Sequence, residues 1–176
     1  HLKVIDPEGN EVPNNDKNVG ELVVRAPWLT QGYLKDKNNS EKLWEGGWLH
    51  TQDVACRNEA GSIRITDRTK DVIKVGGEWL SSLEIEDILC THPAVAEAAI
   101  IGRTDATWGE TPFALIVLRP EQETTEKTLI AHVKGYVDRG LLPREAILLK
   151  VRFIDTIDKT SVGKGNKVAL RGKYLE

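Results

Sequence analysis

The sequence predicts an α+β chain in two parts: a small β-subdomain, then a second part in which helices and strands mix. Three observations carry this expectation. Residues 2–67 hold short β-branched or alternating runs bounded by Gly, Pro and Asn clusters. From residue 81 onward, apolar residues at helical spacing trade places with continuous apolar runs of strand length. Between them lies "ITDRTKDVIKVGGEWLSS", residues 65–82, where charges and adjacent glycines interrupt both patterns. The expected division is 1–69 and 70–176.

In order, "LKVID" (2–6) reads as a strand, and "PEGNEVP" supplies turn chemistry. "GELVVRAP" (20–27) is a second strand by its β-branched centre. Residues 32–53 read mostly as loop, with a short helix near Ser40–Trp44. "VACRNEAGSIRITD" (54–67) is a hairpin turning at Asn58–Gly61. "SSLEIEDILCTHP" (81–93) is a helix capped by Ser81 or Ser82 and stopped by Pro93. "AVAEAAIIG" (94–102) and "FALIVLRP" (113–120) are strands. "TTEKTLIAHVKGYVDRG" (124–140) is an amphipathic helix capped by Thr124 or Thr125 and ended by Gly140. "AILLKVRFID" (146–155) is a last strand, and residues 163–175 form a terminal helix.

With 24 basic and 27 acidic residues the net charge is -3, so no global basic field attracts nucleic acid or an anionic membrane. Any anionic ligand must be met by local lysines and arginines. The apolar runs are far shorter than the roughly 20 residues of a transmembrane helix. Two cysteines at no metal-ligand spacing favour a reducing, cytoplasmic setting. The sequence has no methionine, even at position 1, and opens at once on a strand; the expectation is a piece of a longer protein.

Four constellations can carry chemistry, each with an ordinary structural alternative. In "GGWLHTQD" (46–53), Asp53 can accept from both hydroxyls of a vicinal diol, or serve as a local cap or ion-pair partner. In "DRTKD" (67–71), Arg68 can reach sugar hydroxyls or phosphate with its planar fork, and Lys70 tolerates more than one orientation at a junction; a solvated charged turn is the alternative. In "KVGGEW" (74–79), Gly76 and Gly77 permit a ligand to approach the backbone and Trp79 offers a flat wall, or the same residues make a turn beside a core tryptophan. In "DKTSVGKGNK" (158–167), Gly163 and Gly165 bracket Lys164 as a long cation on a loop of small residues, or as part of a solvated basic loop. The spacing is not that of a Walker phosphate loop.

Taken together, "GELVVRAPWLTQGY", "GGWLHTQD", "ITDRTKDVIKVGGEW", "SSLEIE" and "DKTSVGKGNKVALR" resemble, in this order, the C-terminal third of the class I adenylate-forming superfamily. That superfamily comprises acyl-CoA synthetases, adenylation domains and luciferases, and the resemblance covers the whole chain. "GGEWLSS" is most similar to the medium- and long-chain fatty acyl-CoA ligases.

The resemblance implies the last β-subdomain of a large AMP-binding domain followed by a mobile α+β lid. It further implies an enzyme that activates a carboxylic acid, here a fatty acid, with ATP and Mg2+, then transfers the acyl group to coenzyme A. By position, Asp53 and Arg68 would hold the ATP ribose, Lys70 would be the hinge, and Lys164 would be the catalytic lysine of adenylation. Lys74, Gly76, Gly77 and Trp79 would face coenzyme A in the second half-reaction. The metal ligands, the phosphate loop and the acyl tunnel would belong to the chain's own missing N-terminal domain, leaving this part inactive alone.

Two positions depart from the family pattern: Gln52 stands where Gly is usual, and Asp158 where Pro is usual. A ligase for an aryl or short-chain acid, and a free-standing binding module derived from the lid, are the alternatives.

Overall fold

A computed structural model of the chain describes residues 1–161, 163 and 165–175. The chain divides into two units, His1–Lys70 and Asp71–Glu176.

The first unit is an antiparallel sheet in the order β1 (Leu2–Ile5), β2 (Val19–Val24), β3 (Leu49–Arg57), β4 (Ile63–Arg68). Val4, Val23, Val54, Ala55 and Cys56 are buried in it. The sole α-helix among its described residues, α1 (Lys37–Leu43), starts earlier than the sequence suggests. Asp36 is its N-cap, accepting from the Asn39 N–H at 3.1 Å, whereas the Ser40 hydroxyl is engaged by the Tyr33 N–H at 2.8 Å. Hydrogen bonds from the Asn39 side chain and then its backbone hold the Asp36 carboxyl below its ordinary value.

Strand β3 also begins earlier than Val54, because Leu49 and His50 pair with Val24 and Val23 of β2. Asp53 therefore sits inside the strand, not ahead of it. The β3–β4 turn falls at Asn58–Gly61, where the Gly61 N–H reaches the Asn58 carbonyl at 2.9 Å.

The second unit holds β5 (Ile73–Val75), β6 (Glu78–Leu80), α2 (Ser82–Cys90), β7 (Val95–Asp105), β8 (Gly109–Leu118), α3 (Glu126–Val137), β9 (Lys150–Phe153) and α4 (Lys167–Tyr174). The sheet runs β6-β5-β8-β7, with β9 parallel to β8. Ser81, Thr125 and Asn166 cap the three helices, each accepting an N–H three residues on at 3.2 Å.

The apolar runs of β7 and β8 are continuous because both faces of the sheet are covered. Ile100, Ala114 and Ile116 point toward Ile85 and Leu89 of α2 and Leu129 and Val133 of α3. Ala99, Ile101, Phe113 and Leu115 share the opposite cluster with Leu170 of α4. Each buried Ile, Leu, Val or Phe side chain among these contributes about 1.5–3 kcal/mol, and each Ala less.

The strand expected from residue 146 starts only at Lys150. Residues Arg144–Leu148 instead form a 3-10 turn that buries Ala146, with the Ala146 N–H reaching the Pro143 carbonyl at 3.1 Å. Among the described residues no helix is long and apolar enough to cross a membrane.

Candidate functional site

Strand pairing brings two of the singled-out residues together in the first unit. Asp53 on β3 stands opposite Arg68 on β4, and the Arg68 Nε lies 3.6 Å from the Asp53 Oδ1. The Arg68 side chain is 65% exposed and that of Asp53 29% exposed, so neither is committed to a core. An accessible carboxylate beside an accessible guanidinium fits a sugar diol, which needs acceptors for its O–H groups and tolerates a cation alongside.

The backbone leading to Asp53 is in an uncommon state. Gln52 has φ +61°, the left-handed region that costs an L-residue about 1–2 kcal/mol. This is why glycine suits the position. The strained residue is held on both sides of its Cα: the Gln52 N–H donates to the Glu21 Oε1 at 3.0 Å, and the Gln52 carbonyl accepts the Thr69 N–H at 2.9 Å. Thr51 completes the frame, donating to the Leu22 carbonyl at 2.7 Å and accepting the Asp53 N–H at 3.1 Å.

Glu21, Thr51 and Thr69 were not singled out by sequence reasoning. An acidic residue inside the apolar strand "GELVV" was the available signal for the first. Beside them, Glu21, Tyr33, Asp36, Lys42, His50, Gln52 and Lys70 line a groove of about 840 Å³. Lys70 is exposed at the end of this unit.

In the second unit, Gly76 and Gly77 form the two-residue turn of the β5–β6 hairpin, at φ +59° and +93°. Successive positive values demand glycine, which explains the pair locally. A Cβ on Gly76 would meet the Trp108 ring at 3.2 Å, and the Gly76 N–H donates to the Trp108 carbonyl at 2.8 Å. Lys74 lies across the hairpin from Trp79, its Nζ 5.9 Å from the ring centroid, and its N–H donates to the Glu110 Oε2 at 2.9 Å. Trp79 is half-buried, and Gly77 faces open space. Trp108 from the β7–β8 turn and Glu110 from the start of β8 are partners that no local spacing announces.

Lys164 lies outside the described residues. Its flanks are tied down. Lys159 bridges to Gly165 across the loop, and the Asn166 N–H reaches the Asp158 carbonyl at 2.7 Å. The Lys159 Nζ sits 2.9 Å from the Glu97 Oε2. Asp158 stands 3.6 Å from the Lys173 ammonium and raises its pKa, ahead of a smaller effect of Tyr174. Lys167 is drawn inward to the Glu86 Oε1 at 2.8 Å and the Ser82 Oγ at 2.6 Å.

Comparison with known proteins identifies the domain that this chain carries. Residues 84–164 match the AMP-binding enzyme C-terminal domain. Over 97% of its length the chain is 40% identical to probable acyl-activating enzyme 5, peroxisomal, of Arabidopsis thaliana, and spans 30% of that protein. It is 38% identical over 98% of its length to a long-chain-fatty-acid–CoA ligase of Thermus thermophilus, spanning 31% of it. The crystal structure of ATP-bound MatB from Rhodopseudomonas palustris superposes on all of this chain with a TM-score of 0.81 at 28% identity, the match spanning 34% of that chain. The α+β architecture of the second unit is that of the C-terminal domain in these enzymes. Over residues 84–164 the chain carries the C-terminal domain of the adenylate-forming, AMP-binding enzymes, and it spans about 30% of the length of the relatives that it matches.

Proposed function

We propose that this chain is the C-terminal part of an ATP-dependent acid–thiol ligase that converts a fatty acid to acyl-AMP and then to acyl-CoA. The observation that carries the reading is the in-register Asp53–Arg68 pair, a half-buried carboxylate and an exposed guanidinium on adjacent strands, preceded by a strained residue whose N–H and carbonyl are both hydrogen-bonded. Asp53 accepts the ribose hydroxyls and Arg68 adds a donor. Residues 1–69 belong to the large domain, residues 70–176 form the mobile lid, and Lys70 is the hinge between them.

Lys164 neutralises charge that develops on the carboxylate and α-phosphate as the adenylate forms. Lys74, Gly76, Gly77 and Trp79 form the surface that meets coenzyme A, the glycine turn leaving room for a narrow thiol arm. Mg2+ accompanies the triphosphate. Its ligands are assigned to the N-terminal domain. That domain also supplies the phosphate loop and the acyl pocket, so the chain alone is inactive. The use of only two cysteines, Cys56 and Cys90, supports a reducing, cytoplasmic setting.

The fatty-acid assignment rests on "GGEWLSS" and on the likeness to the Thermus thermophilus ligase. Acid-dependent ATP–pyrophosphate exchange by the full-length protein tests it, using acids of two to eighteen carbons and aryl acids. Medium or long chains are expected to give the highest kcat/KM. An optimum on aryl or short acids would move the assignment, and no exchange with any acid would overturn the ligase reading.

A further inference from the structure

We infer that Glu21 is a positioning residue for the nucleotide site, acting through the Gln52 peptide. The inference rests on the proposed role of Asp53 and Arg68. Gln52 is held in a left-handed conformation that its side chain disfavours, so something outside the peptide must keep it there. The Glu21 carboxylate is placed to do so. Its side chain is only 17% exposed, and its Oε1 accepts the Gln52 N–H at 3.0 Å.

The carboxylate is itself fixed. Its Oε2 faces the His50 Nδ1 at 2.9 Å, and the His50 Nε2 faces the Glu45 carbonyl at 3.2 Å. The β2–β3 register shifts between Glu21 and Val23, where the two strands must accommodate the turn at Gln52. On its other side, the Gln52 carbonyl accepts the N–H of Thr69, the residue between Arg68 and Lys70. By fixing the backbone of Gln52, one carboxylate thus sets the direction of the chain entering Asp53 and, through the neighbouring 52–53 peptide, of the chain leaving Arg68. Charge-assisted hydrogen bonds to backbone N–H groups are among the stronger polar contacts available for this.

The test is a double-mutant cycle of Glu21→Gln and Gln52→Gly. Glycine adopts positive φ without help, so Gln52→Gly should make the carboxylate dispensable. In the full-length protein, Glu21→Gln is expected to raise KM for ATP about tenfold with kcat changed by less than about threefold. The double variant should return KM to within about threefold of Gln52→Gly alone.

In thermal unfolding of the present chain, Glu21→Gln should lower the midpoint by a few degrees in the parent but by much less alongside Gln52→Gly. Glu21→Asp, which keeps the charge but shortens its reach, should show an intermediate KM and serves if Glu21→Gln does not fold. An equal KM rise with and without Gln52→Gly, or none from either Glu21 variant, overturns the inference. If the full-length parent shows no acid-dependent exchange, the ligase reading fails instead. The thermal cycle needs no ligand and still decides whether Glu21 acts through Gln52.

Discussion

Lys164→Ala in the full-length ligase is expected to lower adenylate formation by about 10²–10³-fold, in line with the loss of one preorganised charge-stabilising donor. Acyl-CoA formation from supplied acyl-adenylate should stay within about threefold of the parent, since no comparable charge develops at the same oxygens in thioester formation. Around Lys164, the loop residues that are described are closed on each other by the Lys159–Gly165 bridge and the Asn166–Asp158 hydrogen bond, and anchored to the sheet by Lys159–Glu97. Separate assays of pyrophosphate exchange and of coenzyme A consumption read the two half-reactions. Equal loss in both would contradict the assignment.

Lys167→Met is the substitution expected to cost the second unit most stability. The Lys167 side chain is 10% exposed and that of Glu86 16% exposed, with 2.8 Å between the ammonium and carboxylate. The Glu86 Oε1 also accepts the Ile100 N–H at 2.8 Å, and the fully buried Ser82 receives the same ammonium at 2.6 Å. The cluster therefore joins α2, β7 and α4. Removing the cation leaves a largely desolvated carboxylate facing an apolar side chain, which costs about 3–5 kcal/mol.

For a unit of this size that corresponds to a fall in the unfolding midpoint on the order of 15 °C. Calorimetry of the present chain checks it. Replacing both partners, Lys167→Met with Glu86→Leu, should recover only part of the loss, because it removes the uncompensated charge but also the acceptor of the buried Ile100 N–H. A loss below about 1 kcal/mol for Lys167→Met would show that water already reaches the pair.

What the sequence made legible follows physical range. Helices α2 and α3 were readable because their signals are local: a hydroxyl cap, an apolar stripe, and Pro or Gly at the end. The β7 and β8 runs were readable because burial on both faces removes polar alternation. The β5–β6 hairpin was not, since three-residue strands carry too little pattern and are held by residues distant in sequence, Trp108 of the β7–β8 turn and Glu110 of β8.

The early start of β3 was hidden by its polar residues, His50, Thr51, Gln52 and Asp53, which are held by side-chain partners on β2 and by Arg68 on β4. For the site, the identities of Asp53 and Arg68 came from motif order, and their opposition came only from strand register. The Gln52 departure, an oddity in the sequence, became intelligible once its φ was known.

The central claim is that Asp53 holds the ribose of ATP. The measurement that tests it most directly compares kcat/KM for ATP and for 2′,3′-dideoxy-ATP in the full-length protein and its Asp53→Ala variant. A site built to bond both hydroxyls should prefer ATP by about 10²-fold or more. In Asp53→Ala the loss should fall on ATP alone, bringing the two nucleotides within about threefold of each other. An unchanged preference in Asp53→Ala would contradict the account.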